Sequence, residues 1–189
     1  RNGLILIGKG TFMNCTSLSR VSLASTIQTI GAYAFSGCKS LKAVVIPKLV
    51  TKINESTFNG CTSLATASYN GTITDIENNA FYNTSISVFT FKDGLINLGS
   101  GSFAFSKLTS VSLPDSLSSI GQHVFDHCVL NSVSLPSSAK LQKNCVRIFE
   151  NNGSNMVITI RFANEVNLDD YLLYYSGAKK IIIEEGIQA

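Results

Sequence analysis

Phenylalanine recurs through most of this chain at a nearly fixed interval: Phe12, Phe35, Phe58, Phe81, Phe103 and Phe125 are separated by 22 or 23 residues. An interval of that size means a solenoid, in which each coil buries its apolar face only against the next. The residues around each Phe keep step with it. Ile7, Ile30, Ile53, Ile76, Leu98 and Ile120 stand five before it, with glycine next at 8, 31, 99 and 121 and with Asn54 and Glu77 as exceptions. Five or six after it come Leu18, Leu41, Leu64, Ile86, Leu108 and Leu130. An alternating pair follows: Val21 and Leu23, Val44 and Ile46, Ala67 and Tyr69, Phe89 and Phe91, Val111 and Leu113, Val133 and Leu135. Alternation over so few residues reads as a short strand with one buried face.

Three of those strands run into Pro47, Pro114 and Pro136. Proline cannot donate to a ladder, so each marks where the strand stops. The coil is then a strand, a turn, an extended piece with two more inward aliphatics (Ile27 and Ile30, Val50 and Ile53, Ile73 and Ile76), a glycine bend and a tight segment around the Ala-Phe pair. One strand per coil with a crossover between makes successive strands parallel and the crossovers right-handed. Seven or eight coils at about 4.8 Å each give a rod roughly 35 Å long with an interior Phe stack.

The pattern L-x-x-V-x-L-P-x-x-L-x-x-I-G-x-x-A-F-x-x-C, as in "LKAVVIPKLVTKINESTFNGC", resembles the BspA-like leucine-rich repeats of bacterial and parasitic-protist surface proteins. The resemblance implies an α/β solenoid: a right-handed coil with one parallel β-sheet on the concave face and short extended or helical-turn segments on the convex side. The expected organisation is a single domain over 1–189, regular over about 4–138 and irregular or capping over 139–189. Phe149 lies 24 after Phe125 with Asn144 five before it, "ENNGSN" then delays "MVITIRF", and "KIIIE" reads as one more strand. A chain that begins inside a coil and ends on a strand leaves open ends, which predicts flanking repeats or end-to-end self-association.

Four of the five cysteines, Cys15, Cys38, Cys61 and Cys128, fall three residues after the repeat Phe, where other coils carry Thr84 and Ser106. A slot that takes Cys, Thr or Ser wants a small side chain with a weak donor that reaches a backbone carbonyl. Neither zinc-type Cys pairs nor an even disulfide count is present, and Cys145, outside the slot, is the candidate reactive thiol. "HVFDHC" gathers His123, Asp126, His127 and Cys128, the residues of a metal or nucleophile cluster, but the repeat frame makes the two histidines surface positions of one coil. No phosphate loop, H-E-x-x-H or G-x-S-x-G motif is found, so a hydrolase or metal enzyme using His123, His127 and Cys128 is the weaker reading and no cofactor is expected.

The net charge of +3 is scattered, with no basic stripe for nucleic acid. No apolar run approaches a membrane span, so no membrane insertion is expected within this segment. Sequons stand at Asn14, Asn54, Asn70, Asn83 and Asn152, and an aromatic cluster at Tyr171, Tyr174 and Tyr175 reads as an end-cap patch.

If Val21 and Leu23 point inward, the residues beside them point outward. That row includes Arg20, Ser22, Thr66, Ser68, Thr90, Ser110, Ser112, Ser132, Ser134 and Arg161, a small, polar surface. Together with the resemblance it implies a non-catalytic binding module of a cell-surface or secreted adhesin, engaging an extracellular protein or glycan. An intracellular scaffold built from the same repeats is the alternative.

Overall fold

The computed structural model describes residues 3–135, 147–162 and 176–185. Its strands in chain order are β1 (Leu6–Ile7), β2 (Thr29–Ile30), β3 (Ala43–Ile46), β4 (Lys52–Ile53), β5 (Thr66–Tyr69), β6 (Asp75–Ile76), β7 (Asn97–Leu98), β8 (Ser110–Ser112), β9 (Ser119–Ile120), β10 (Ser132–Leu135), β11 (Val157–Phe162) and β12 (Lys180–Glu185). All pair in parallel and in repeat register: Val111 lies beside Val133, Val133 beside Ile158, and Ile158 beside Ile181. The longer strands β3, β5, β8, β10, β11 and β12 form one side of the coil. The two-residue strands form a second side, with β4, β6, β7 and β9 in continuous order and β1 paired with β2.

Burial follows the alternation read from the sequence except in the first coil, where residues 20–23 form no strand and Val21 and Leu23 are only half-buried. In β3 and β5 the residues alternate exposed and buried, with Val44, Ile46, Ala67 and Tyr69 inward. The phenylalanines form one column: neighbouring rings from Phe12 to Phe125 stack at centroid distances of 5.2, 5.5, 5.3, 5.2 and 6.0 Å. Phe149 extends the column at 5.8 Å, so the solenoid register survives the irregular spacing. Both β11 and β12 form where strands were expected; Cys145 and the tyrosine cluster lie outside the described residues.

Two expectations need correction. First, no helix occurs among the described residues, so the α/β class and its helical turns give way to an all-β coil. The tight segment around each Phe places left-handed residues two before and two after it: Tyr33 (φ 60°) and Gly37 (φ 73°) about Phe35, His123 (φ 56°) and His127 (φ 51°) about Phe125. A left-handed residue at such spacing stops any run of right-handed turns from becoming a helix. Instead the N–H groups divide. Those of Tyr33, Phe35 and Gly37 donate to Glu55, Thr57 and Asn59 of the next coil, while those of Ala34, Ser36 and Cys38 turn back to carbonyls three residues earlier.

Second, the single sheet of longer strands is interrupted. β3 pairs only with β5, and β8 begins a separate four-stranded sheet. Residues 88–91, which should bridge them, form no strand. There Phe89 and Phe91 crowd inward against Phe103, at 4.9 and 5.2 Å. The Tyr69 hydroxyl enters the gap, donating to the Thr90 carbonyl at 2.9 Å and accepting from the Lys92 N–H at 2.9 Å. A side chain thus makes the inter-coil bonds that backbone makes elsewhere. The glycine after the inward aliphatic also has a physical reason: a Cβ on Gly31 would stand 2.6 Å from Lys9 N, so adjacent coils approach too closely there for a side chain.

Candidate functional site

The outward row on the side of the longer strands carries side chains that packing does not use, although Arg20, Ser22 and Thr90 lie outside any strand. Arg20, Ser22, Thr66, Ser68, Thr90, Ser110, Ser112 and Ser132 are exposed and Ser134 is half-buried. Arg161 is in β11 opposite Glu184, and its side chain lies outside the described ones. The row does not form one uniform surface. Arg20 and Ser22 line a groove of about 530 Å³ that also takes in Lys42, Val45 and Lys48. Thr66, Ser68 and Thr90 line a second, of about 560 Å³, with Val88 and Lys92. That second groove lies where the sheet breaks, with Tyr69 in its lining. Val45 and Val88 are 52% and 67% exposed, apolar side chains with no role in the core.

Neither groove has a carboxylate in its lining, whereas Arg20, Lys42, Lys48 and Lys92 contribute cations. The lysines were not legible as part of a face, because Lys42 and Lys48 flank their strand rather than alternating within it. A third groove of about 470 Å³, on the two-residue strands, has the opposite sign: it is lined by Glu55, Asp75 and Glu77 among amides and hydroxyls. Burial alone would raise the Asp75 pKa, but hydrogen bonds from Thr74 (2.7 Å) and Asn97 (2.5 Å), with Lys52 nearby, outweigh it and hold the carboxyl below its ordinary value. Lys52 itself is held by Glu77 at 2.6 Å.

The cysteine slot does what its chemistry suggested. The Sγ atoms of Cys38, Cys61 and Cys128 donate to the carbonyls of Phe12, Phe35 and Phe103, one coil back, at 3.1, 3.1 and 3.3 Å. Asn152 occupies the same slot after Phe149 and donates to the Phe125 carbonyl at 2.8 Å, an assignment hidden in the sequence by its sequon. Asn54 likewise spends its amide on the Ile30 carbonyl at 2.7 Å, so of the sequons only Asn14, Asn70 and Asn83 are exposed. Burial pushes the thiol pKa up to about 12 at Cys61 and about 11 at Cys128, so both are protonated and poor nucleophiles. All four described cysteines are free, and only Cys15 is exposed.

The constellation of His123, His127 and Cys128 is therefore only half assembled. Cys128 turns to a backbone carbonyl, while both histidines meet Asp126. The structure adds Glu150, which follows Phe149 one coil later. His123, Asp126 and Glu150 bring their ligand atoms within 4.8 Å of one another, an arrangement that could hold a metal ion.

No helix among the described residues is long and apolar enough to cross a membrane. A comparison with curated proteins finds no match. Among solved structures, the chain is similar to a leucine-rich repeat protein from Bacteroides ovatus, with a TM-score of 0.60 and 21% identity over 98% of this chain and 55% of that one. It is also similar to a leucine rich cell surface protein from Faecalibacterium prausnitzii, with a TM-score of 0.54 and 18% identity over 95% of this chain and 69% of that one. The chain thus spans about half of the Bacteroides protein, and these likenesses establish the fold. The model of the BspA type leucine rich repeat region matches residues 1–107 and 96–189, with 6 copies, and the chain belongs to that family.

Proposed function

We propose that this chain is a non-catalytic binding module of a cell-surface or secreted protein, and that it engages an anionic glycan or an acidic protein surface through the outward row of its longer strands. The carrying observation is the pair of adjacent grooves in which hydroxyls of Ser22, Thr66, Ser68 and Thr90 stand beside Arg20, Lys42, Lys48 and Lys92 with no carboxylate in the lining. Hydroxyls and ammonium groups are donors suited to carboxylates and sulfates, and exposed Val45 and Val88 offer apolar contact. Affinity would come from summing weak contacts along the array, because no Trp anchor exists in the chain. The surface location is supported by the family and by the Faecalibacterium neighbour, whose name calls it a cell surface protein; an adhesin role is part of the proposal.

The test is a binding screen against mucin, extracellular matrix proteins and neutral, sialylated and sulfated glycans. It compares the chain with two variants in which Ser68, Thr90, Ser112 and Ser134 all become glutamate or all become lysine. Binding to an acidic ligand that glutamate abolishes and lysine preserves is the expected result. Binding unaffected by either variant moves the site off this row and overturns the reading.

A further inference from the structure

The repeat register stacks two carboxylates at one point on the turn side of the coil. Asp126 and Glu150 each follow a column phenylalanine, in a slot that holds Met13, Ser36, Asn59, Tyr82 and Ala104 in the other coils. Their side chains are only 13% and 16% exposed. Like charges placed one above the other in partial burial cost energy unless a cation lies between them. The group between them is His123. Its Nδ1 is 3.6 Å from Asp126 Oδ2 and 3.6 Å from Glu150 Oε2. That atom is closed to solvent and has no hydrogen-bond partner, although the ring as a whole is 39% exposed. A separation of 3.6 Å is too long for a hydrogen bond, but it is close to the ligand-to-ligand edge of a tetrahedron whose ligands lie about 2.0 to 2.2 Å from a zinc ion.

The surroundings orient these groups as outer-shell partners do. His127 donates from Nδ1 to Asp126 Oδ1 at 2.8 Å, and Asn151 donates to the same oxygen at 3.2 Å, which leaves Oδ2 facing His123. Phe105 fixes the His127 ring by stacking at 4.3 Å. Arg147 approaches Glu150 Oε2 at 3.8 Å.

We propose that His123 Nδ1, Asp126 Oδ2 and Glu150 Oε2 bind one divalent transition-metal ion of the zinc class, with a fourth position open to solvent. The ion joins two successive coils at the start of the irregular region. A neutral His123 that ligates through Nδ1 carries its proton on Nε2.

Titration of the whole chain with zinc, and with cobalt(II) as a visible probe, tests the site in a Cys15→Ser, Cys145→Ser background that removes competing thiolates. The expected result is one bound equivalent, cobalt bands without a thiolate charge-transfer band, and a metal-dependent rise in melting temperature. Glu150→Gln and His123→Asn, the latter chosen because Asn tolerates the left-handed backbone, should each weaken binding roughly tenfold or more, as should loss of the supporting His127 ring in His127→Gly, where glycine suits the left-handed backbone. Circular dichroism of each variant separates lost ligation from lost folding. Absence of binding at metal concentrations well above that of the chain, or one equivalent retained by both Glu150→Gln and His123→Asn, overturns the proposal.

Discussion

The turn around each phenylalanine and the longer strand opposite it belong to the same coil, yet they tolerate variation differently. On the turn side, the inter-coil hydrogen bonds of the Phe residues run unbroken from Phe12, which donates to Ala34, to Phe125, which donates to Ile148. On the strand side, the ladder stops after β5 and resumes at β8. The turn slots demand particular residues: a ring that fills the column, a small donor three positions on, and residues that accept a left-handed backbone. The strand side demands only that alternate residues be apolar: Val44 and Ala67 sit in paired strands, whereas Phe89 keeps the alternation but loses the ladder. One side of the coil therefore holds the fold, and the other is free to diversify into grooves.

The largest expected effect comes from the column. Phe58→Ala removes a fully buried ring stacked on both Phe35 and Phe81, and should lower unfolding free energy in urea by about 3 to 5 kcal/mol. On the opposite face, Ser112→Ala should stay within about 0.5 kcal/mol. Equal small losses would remove the contrast between the two sides.

Next comes the break itself. Tyr69→Phe deletes the hydroxyl that serves the Thr90 carbonyl and the Lys92 N–H, and should cost about 1 to 3 kcal/mol through unsatisfied polar groups. A neutral outcome would mean that residues 88–91 are not held by that side chain. Smaller still is a difference in reactivity. In the native chain Cys15 should react at once with a thiol reagent, whereas Cys38, Cys61 and Cys128 should react only on unfolding. Because burial raises the Cys61 pKa to about 12, its stabilising contribution is complete below the ordinary thiol range and is lost as pH rises through that range toward 12.

The smallest effect belongs to the acidic groove. The Asp75 pKa is depressed, so its contribution is present above the ordinary Asp value and drains away as pH falls through that value to the lower folded one. Asp75→Asn should flatten the acid limb of the pH–stability curve slightly while changing the neutral value little. A steeper acid limb would mean that the carboxylate is not favoured by Thr74 and Asn97.

Much of this was legible because burial in a solenoid repeats. The period alone identified the Phe column, the inward pairs, the outward row and the carbonyl-seeking Cys slot. The left-handed turns were not read, although Asn14, Gly37, Gly60, Asn83 and His127 in one slot are residues that favour positive φ. Tyr33 and Phe105, which do not, obscured the signal. The sheet break escaped because Phe89 and Phe91 satisfy the alternation, and only their volume, with a tyrosine one coil earlier, shows the conflict. Glu150 was missed for a different reason. The interval of 24 residues and the polar Asn144 made the repeat look finished, and without its register Glu150 has no reason to meet His123.

The most direct test of this division between the two sides is amide hydrogen exchange on the native chain. The account predicts strong protection at the N–H groups of Phe35, Phe58, Phe81 and Phe103 on the turn side. It predicts much weaker protection through residues 88–91 than in β8 and β10. Fast exchange at the column amides, or uniform protection across β5, 88–91 and β8, would contradict it.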